Sequence, residues 1–142
     1  MLIVSKKVEG KPLTVTIEYP EYTEPVKNLV SKIKSLDVSF NAVADGRQTK
    51  ISISDVYYIE NVDRRLFLYT QKDVYRLSAS MTDIDEITKE SDLVRISRNC
   101  VMNTSHLAEI RQLKNSHLEA TLDNDEKLIV SRKYLHDIKR RF

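Results

Sequence analysis

The feature that most constrains the fold is a series of short apolar runs, separated by turn-forming residues, that extends from Val38 to the end of the chain. Apolar side chains recur along residues 38–44, Asp45-Gly46 supplies a hairpin turn, and residues 51–53 resume the pattern. Further short strands are predicted at residues 56–60, 66–70, 74–77, 93–96, 110–113, 117–122 and 127–130. So many short strands with little helix predict a mainly β fold with short helices, in the α+β class.

The N-terminal part is predicted to contain a strand followed by a helix. Residues 13–19 alternate apolar and polar side chains, as in a half-buried strand, and Thr23 and Pro25 favour the start of a helix soon afterwards. The apolar face of that helix consists of Val26, Leu29, Val30, Ile33 and Leu36. We expect this face either to pack against neighbouring strands or to contact a second copy or another partner.

Two further short helices are predicted in the second part of the chain. Ser80 and Asp83 have the spacing of a capping box, and the apolar residues that follow predict a helix over residues 81–87. The other helix is predicted over residues 134–141.

The composition favours a soluble cytoplasmic protein. No apolar run approaches the roughly 18 residues that a membrane-spanning helix needs. Lys6 and Lys7 follow the short apolar start of the chain, the reverse of the order in a secretory signal. The single cysteine, Cys100, excludes an internal disulfide and fits a reducing compartment.

The arginines are unevenly distributed. The chain carries 23 Lys and Arg against 21 Asp and Glu, a net charge of +2. Residues 1–45 hold six Lys, six acidic residues and no Arg, whereas residues 46–142 hold ten Arg and seven Lys against fifteen acidic residues. Since Arg forms bidentate contacts with phosphate and guanine, this distribution points to nucleic acid as a partner of the second part.

Signatures of an enzyme are missing from the sequence. Two glycines are too few for a phosphate-binding loop. The three histidines lie far apart and lack the spacing of metal ligands: they are His106, His117 and His136. We therefore predict no catalytic residue, no metal, no cofactor and no small-molecule substrate.

Basic residues occur in three loop-like segments. Arg64-Arg65 lies in the loop after the predicted strand at residues 56–60, and residues 95–99 place Arg98 on the face opposite Arg95, Ser97 and Asn99. Residues 131–134 end a strand where a helix begins, so their amides and cations suit a phosphate. From their spacing, the three segments either converge at one end of a β fold or form unrelated solvated patches.

Several stretches resemble the LytTR family of bacterial DNA-binding domains. The resemblance runs from about residue 46 to the end and includes residues 53–60 (ISDVYYIE), 75–77 (YRL), 94–103 (VRISRNCVMN) and 128–134 (LIVSRKY), together with the predicted helix at residues 81–87. The order, the spacing and several polar identities agree over most of this length, which makes the resemblance specific.

The resemblance implies a fold and a set of roles. Residues 46–142 are expected to form an elongated arrangement of small β-sheets, preceded by the strand–helix segment of residues 1–45. Loops, rather than a recognition helix, would enter successive major grooves of double-stranded DNA. The residues expected to read bases are Arg64 or Arg65, Arg98 and Arg132. The residues expected to hold phosphates are Arg95, Ser97, Asn99, Lys133 and Tyr134. Asp55, Tyr58, Glu60 and Asn103 also match the family, and we assign them to architecture.

The resemblance further implies a transcription regulator related to response regulators. Residues 1–45 are too few for a phosphoacceptor receiver domain, so we expect the stand-alone type of this family, without a receiver domain. We expect two copies, as a homodimer or paired on repeated half-sites of DNA, with the N-terminal helix face as their contact. An inhibitory membrane-protein partner is a further arrangement that some relatives suggest. The alternative function is a non-catalytic module that docks a protein or membrane partner, and it predicts little affinity for duplex DNA.

Overall fold

The strands and helices were located in a computed structural model, which describes residues 1–36, 38–89 and 91–141. Within these residues the strands are β1 Ser39–Ala44, β2 Arg47–Ser52, β3 Tyr58–Val62, β4 Arg65–Tyr69, β5 Val74–Leu77, β6 Leu93–Ser97, β7 Cys100–Asn103, β8 Leu107–Gln112, β9 Leu118–Leu122 and β10 Lys127–Val130. The α-helices are α1 Glu24–Leu36, α2 Met81–Thr88 and α3 Leu135–Arg141. Short 3-10 turns occupy Ile53–Asp55, Thr104–His106, Lys114–Ser116 and Arg132–Tyr134. The predicted mainly β fold with short helices is confirmed.

Two antiparallel sheets are formed by the described strands. The larger has the strand order β2-β1-β5-β4-β3-β7-β6, and the smaller has the order β10-β9-β8. β5 and β10 have the predicted bounds, and Asp45-Gly46 forms the predicted hairpin turn between β1 and β2. β7 was not predicted as a strand of its own.

The larger sheet carries a core on each face. Because successive residues of a strand point to opposite faces, Ile59 and Val101 join a core beneath α2, whereas Tyr58 and Met102 join a second core with the smaller sheet. All four residues of β7 are buried, and so are the first two of β3. A strand buried on both faces lacks the apolar–polar alternation that identifies a half-buried strand, which explains why β7 was missed.

The capping box at the start of α2 is present as predicted. The Ser80 hydroxyl accepts the Asp83 backbone N–H at 3.2 Å, and the Asp83 carboxylate accepts the Ser80 backbone N–H at 2.8 Å. These bonds to the Ser80 backbone and hydroxyl lower the pKa of Asp83. Ile84, which is fully buried, anchors this helix on the first core.

Asn103 joins the end of β7 to the segment that precedes β3. Its side-chain amide donates to the carbonyl oxygens of Ile53 and Val56, at 3.0 and 2.7 Å, while its side-chain oxygen accepts the N–H and the hydroxyl of Ser105, at 3.0 and 2.8 Å. The residue is 1% exposed, and its amide is fully used in these contacts. Its structural position agrees with the architectural role assigned from the sequence.

His106 links the two sheets. Its ring stacks on Tyr57 with centroids 4.0 Å apart, Nδ1 lies 3.1 Å from the Asp123 carboxylate, and Nε2 lies 2.7 Å from the Ser54 carbonyl oxygen. The hydrogen bond with Tyr57 and the contact with His106 lower the pKa of Asp123, and the same carboxylate raises the pKa of Tyr57 to about 12. Asp123 lies in the β9–β10 turn, so the cluster fixes the smaller sheet against the larger one.

The N-terminal part differs from its prediction in one element. The predicted helix is confirmed as α1, whose first hydrogen bond runs from the Lys27 N–H to the Thr23 carbonyl oxygen at 2.9 Å. The predicted strand at residues 13–19 is wrong: these residues have no strand structure, and Leu13 is 97% exposed. Alternation shows that a segment is able to form a strand, but a strand needs a paired neighbour, and no pairing to this segment occurs among the described residues.

The α1 helix rests against the Ile53–Asp55 turn with only part of its expected face. Leu29 and Ile33 are half-buried and Ser35 is buried, whereas Leu36, which was expected on the covered face, is 63% exposed. No helix in the described part of the chain is long and apolar enough to cross a membrane.

Candidate nucleic-acid interface

The first basic segment is a tight hairpin turn between β3 and β4. Val62 pairs with Arg65, so the turn contains only Asp63 and Arg64, both with positive φ, at 51° and 63°. Positive φ at both central residues is the type I′ geometry that fits the twist of a two-residue hairpin. The loop expected at residues 61–65 is therefore shorter than predicted, with Arg64 at its tip and Arg65 at the start of β4.

The second basic segment is the turn between β6 and β7. The pairing of these strands shifts register between Arg95 and Ser97, and Ser97 pairs with Cys100. Because Ser97 pairs with Cys100, Arg98 and Asn99 form an exposed two-residue turn at the end of the pair. The Ser97 hydroxyl accepts the Asn99 N–H at 3.3 Å, which closes the turn.

The third basic segment follows β10 and leads into α3. Arg132–Tyr134 form a 3-10 turn, in which the Tyr134 N–H donates to the Ser131 carbonyl oxygen at 2.9 Å. The Lys133 ammonium lies 5.6 Å from the centre of the Tyr134 ring. Ile138 of α3 is fully buried in the second core, which fixes this segment beside β6.

Two backbone hydrogen bonds bring the three segments together. The Asn61 N–H, at the end of β3, donates to the Asn99 carbonyl oxygen at 2.7 Å. The Ser131 N–H donates to the Ile96 carbonyl oxygen at 2.8 Å. The backbones of the three segments therefore converge, which is one of the two alternatives that the sequence left open. We refer to residues 63–64, 97–99 and 131–134 as the three-turn surface.

The predicted site residues differ in their solvent exposure and in whether their side chains are bound within the protein. The four arginines expected to read bases are exposed: Arg64, Arg65, Arg98 and Arg132. Asn99 and Lys133 are exposed as well, whereas Ser97 and Tyr134 are half-buried. Arg95 differs from all of these, because its guanidinium binds the Asp85 carboxylate and the backbone carbonyl groups of the neighbouring turn.

Sequence reasoning missed a further cation beside this surface. Leu118, the first residue of β9, pairs with Gln112 on one side and with Val130 on the other. The β8–β9 turn therefore lies at the same end of the smaller sheet as the 131–134 segment, and it carries the exposed Lys114. The register of β9 reveals this proximity, and no local pattern in the sequence specifies that register.

Two titratable groups of the second core, Cys100 and Tyr58, are shifted toward their neutral forms. Burial, with a smaller effect of the Glu60 carboxylate, raises the pKa of the Cys100 thiol to about 12. Burial and the Glu126 carboxylate, which accepts the Tyr58 hydroxyl at 3.0 Å, raise the pKa of Tyr58 above its usual value. A thiol held in this state is a core residue rather than a nucleophile. Among the described residues, no group of three or more His, Cys, Asp or Glu side chains is arranged to hold a metal ion.

The fold and the three-turn surface together define a β-rich domain in which the exposed cations Arg64, Arg98, Arg132 and Lys133 lie on three neighbouring turns. Residues 46–142 match the family model of the LytTr DNA-binding domain. Since this match covers more than half of the 142 residues, the chain belongs to the LytTR DNA-binding domain family.

Curated relatives are regulators of greater length. "Sensory transduction protein LytT" of Enterococcus faecalis is 23% identical over 91 residues, which are 64% of this chain and 38% of that protein. Its namesake in Bacillus subtilis is 27% identical over 63% of this chain and 37% of its own length. "Transcriptional regulatory protein YpdB" of Escherichia coli is 25% identical over 72% of this chain and 42% of its own length. The chain thus spans about two fifths of the length of these relatives.

A solved structure has the same fold. The LytTr DNA-binding domain of a methyl-accepting/DNA response regulator from Bacillus cereus superposes with a TM-score of 0.67 at 17% sequence identity. The alignment covers 72% of this chain and 94% of that domain. At this level of identity the likeness establishes the fold alone, and it confirms the LytTR-like arrangement expected from the sequence.

Proposed function

We propose that this protein is a sequence-specific transcription regulator that binds double-stranded DNA in the bacterial cytoplasm through the three-turn surface. The observation that carries the proposal is the pair of backbone hydrogen bonds, from Asn61 to Asn99 and from Ser131 to Ile96, that joins turns bearing exposed arginines. The membership of the LytTR DNA-binding domain family and the names of the regulator relatives support it. The proposal assigns the chain no catalytic step, cofactor or small-molecule substrate.

Base reading in the major groove is proposed for the arginines of the three turns. A guanidinium donates two parallel hydrogen bonds to O6 and N7 of guanine, and each such pair contributes about 1–3 kcal/mol of discrimination. Arg98 and Arg132 belong to exposed turns, and Arg64 lies at the tip of its hairpin. Because Arg65 begins β4 behind that tip, we favour Arg64 over Arg65 as the base-reading residue.

Phosphate contacts are proposed for the polar residues around these arginines. Asn99 and Lys133 are exposed, while Ser97 and Tyr134 are half-buried beside them. We add Lys114 of the β8–β9 turn to this set. If about four to six phosphates are neutralised, the logarithm of the binding constant falls against the logarithm of salt concentration with a slope of roughly −4 to −5.

Pairing of two copies on repeated half-sites is proposed because a single copy offers few base contacts. The N-terminal part supplies the candidate contact, since Leu13 and Leu36 are 97% and 63% exposed and Val15 is 58% exposed. Apolar side chains left this exposed commonly mark a contact with another molecule. A second copy is the occupant we propose, and an inhibitory membrane protein is the alternative. Sedimentation of the purified protein alone distinguishes the two, because only the first predicts self-association without a membrane partner.

The test is fluorescence anisotropy with a pool of random duplexes over about 50 to 300 mM salt, followed by selection of the bound sequences. We expect Arg98→Ala and Arg132→Ala to lose preference for the selected duplex over a scrambled one while they remain folded. Arg47→Ala is the matched control, because Arg47 is exposed on β2, the edge strand opposite β6. Unchanged preference in both variants would refute the base-reading roles.

The alternative, a protein-interaction module, predicts a different result from the same experiment. It predicts that the wild-type protein has little affinity for any duplex at any salt concentration. An anisotropy that stays at its protein-free value down to the lowest salt would therefore replace the DNA-binding proposal with the interaction module.

A further inference from the structure

The Arg95 guanidinium is bound within the protein. Its Nη1 donates to both carboxylate oxygens of Asp85, at 2.8 and 2.7 Å, and its Nε donates to the Ser97 carbonyl oxygen at 3.2 Å. Its Nη2 donates to the carbonyl oxygen of Arg98. The Arg95 and Asp85 side chains are 23% and 45% exposed. One planar side chain therefore ties the β6–β7 turn to α2.

The contacts of Arg95 fall where the turn leaves the strand ladder. The register of the pair shifts between Arg95 and Ser97, directly before the turn residues 98–99. Asn99 is held by the Asn61 N–H at 2.7 Å and by the Ser97 hydroxyl at 3.3 Å. The carbonyl oxygens of Ser97 and Arg98 are held by Arg95. Loss of the Arg95 contacts would leave the Arg98 backbone with more conformations to sample.

We propose that Asp85 and Arg95 are positioning residues, which fix the backbone of the β6–β7 turn and thereby direct the Arg98 side chain toward DNA. This inference rests on the proposed function. It replaces the phosphate contact expected of Arg95 from the sequence with a supporting role behind a base contact. A group held in its bound geometry before association loses less conformational freedom on binding, and the gain appears as selectivity.

The two roles of Arg95 predict opposite effects when Asp85 is neutralised. If Arg95 contacted a phosphate, Asp85→Asn would free its guanidinium and remove a negative charge, so binding to every duplex would tighten. If Arg95 positions the turn, Asp85→Asn weakens the contact that holds the Arg95 guanidinium in place and thereby lowers the preference for the selected duplex. We expect a loss of roughly 3- to 10-fold in that preference, with the salt slope unchanged.

The chain offers a matched control on the same helix. Glu86→Gln makes the same change of charge at the adjacent position, but the Glu86 carboxylate binds Lys89, and these two side chains are 69% and 66% exposed. Glu86→Gln is expected to leave the preference within about 2-fold of wild type, because exposed ion pairs of this kind contribute little. Arg95→Lys, which keeps the charge but loses the planar fork, is expected to behave like Asp85→Asn.

Limited digestion with trypsin measures the local flexibility of the β6–β7 turn in the absence of DNA. Trypsin cleaves after Arg98, at the carbonyl group that Arg95 holds, and also after Arg64 in the neighbouring turn. We expect Asp85→Asn to accelerate cleavage after Arg98 by roughly 3- to 10-fold and to leave cleavage after Arg64 unchanged. Equal acceleration at both sites would mean general destabilisation and would overturn the positioning role.

The remaining outcomes are equally decisive. Unchanged cleavage after Arg98 overturns the inference, and so does faster cleavage with unchanged preference between duplexes. Tighter binding of Asp85→Asn to all duplexes restores the phosphate contact of Arg95. Failure of the wild-type protein to prefer any duplex overturns the proposed function itself, a result distinct from any that concerns only the variants.

Discussion

Replacement of Arg64 by glycine is predicted to make the protein more stable and less selective for DNA at the same time. Arg64 occupies the second central position of a two-residue turn, with φ at 63°. At that position type I′ turns favour glycine, and a glycine directly after Asp63 would give the Asp-Gly pair that such turns prefer. The substitution thus removes the guanidinium without creating a cavity or breaking the turn.

The expected gain in stability follows from the backbone conformation. A residue with a Cβ costs roughly 1–2 kcal/mol in the left-handed region, and glycine costs about 0.5–1 kcal/mol in extra freedom of the unfolded chain. The difference predicts a net stabilisation of roughly 0.5–1 kcal/mol. For a domain of this size, such a gain raises the melting temperature by about 2 to 5 °C.

The expected loss in binding follows from the proposed role of Arg64. One bidentate contact with guanine contributes about 1–3 kcal/mol of discrimination, which is roughly a 5- to 150-fold change in preference. A variant that is more stable yet less selective cannot owe its binding defect to misfolding. The opposite signs of the two effects make the substitution informative.

Thermal unfolding and anisotropy on the same preparation measure both effects. Asp125→Gly is the control for stability, because Asp125 has φ at 67° in the β9–β10 turn, at the end of β10 away from the 131–134 segment. It should raise stability by a similar amount and leave DNA preference unchanged. A stabilised Arg64→Gly variant with wild-type preference would refute the role of Arg64 and shift it to Arg65.

Three further predictions concern stability and assembly. Asn103→Ala should lower the free energy of unfolding in urea by roughly 3 kcal/mol, since it leaves buried carbonyl groups unpaired. The control Asn124→Ala, in the β9–β10 turn, should lower it by less than about 1 kcal/mol. Equal losses in the two variants would contradict the structural role of Asn103. The pKa of Asp123 is lowered in the folded state, so its contribution to stability is present above the unfolded value of 3.8 and is lost as pH falls through the folded value. Asp123→Asn should therefore flatten the pH dependence of unfolding below about pH 4, and a slope identical to wild type would exclude this role. Leu36→Asp should leave the melting temperature unchanged but weaken self-association in sedimentation velocity, and unaltered sedimentation would remove Leu36 from the contact.

Local sequence signals predicted the elements that depend on local interactions. The capping box of Ser80 and Asp83 specified the start of α2, and Asp45-Gly46 specified the first hairpin. Both signals act through residues that are neighbours in sequence. The LytTR-like motifs then identified the segments that carry the exposed arginines.

Elements that depend on distant partners were predicted less well. The segment at residues 13–19 has the alternation of a strand, yet no described strand pairs with it. β7 lacks alternation because both of its faces are buried. The ion pair between Arg95 and Asp85 depends on how α2 packs on β6, and residues 95–99 give no indication of it. In each case the deciding contact is tertiary.

We propose that the three-turn surface engages the double helix, and NMR titration measures this engagement residue by residue. A ¹⁵N-labelled protein is titrated with the duplex selected from the random pool, and the amide shifts of residues 63–64, 97–99 and 131–134 are followed together. We expect the largest changes to fall on all three segments at the same ratio of DNA to protein. Changes confined to one segment, or centred on β2 and α1, would contradict it.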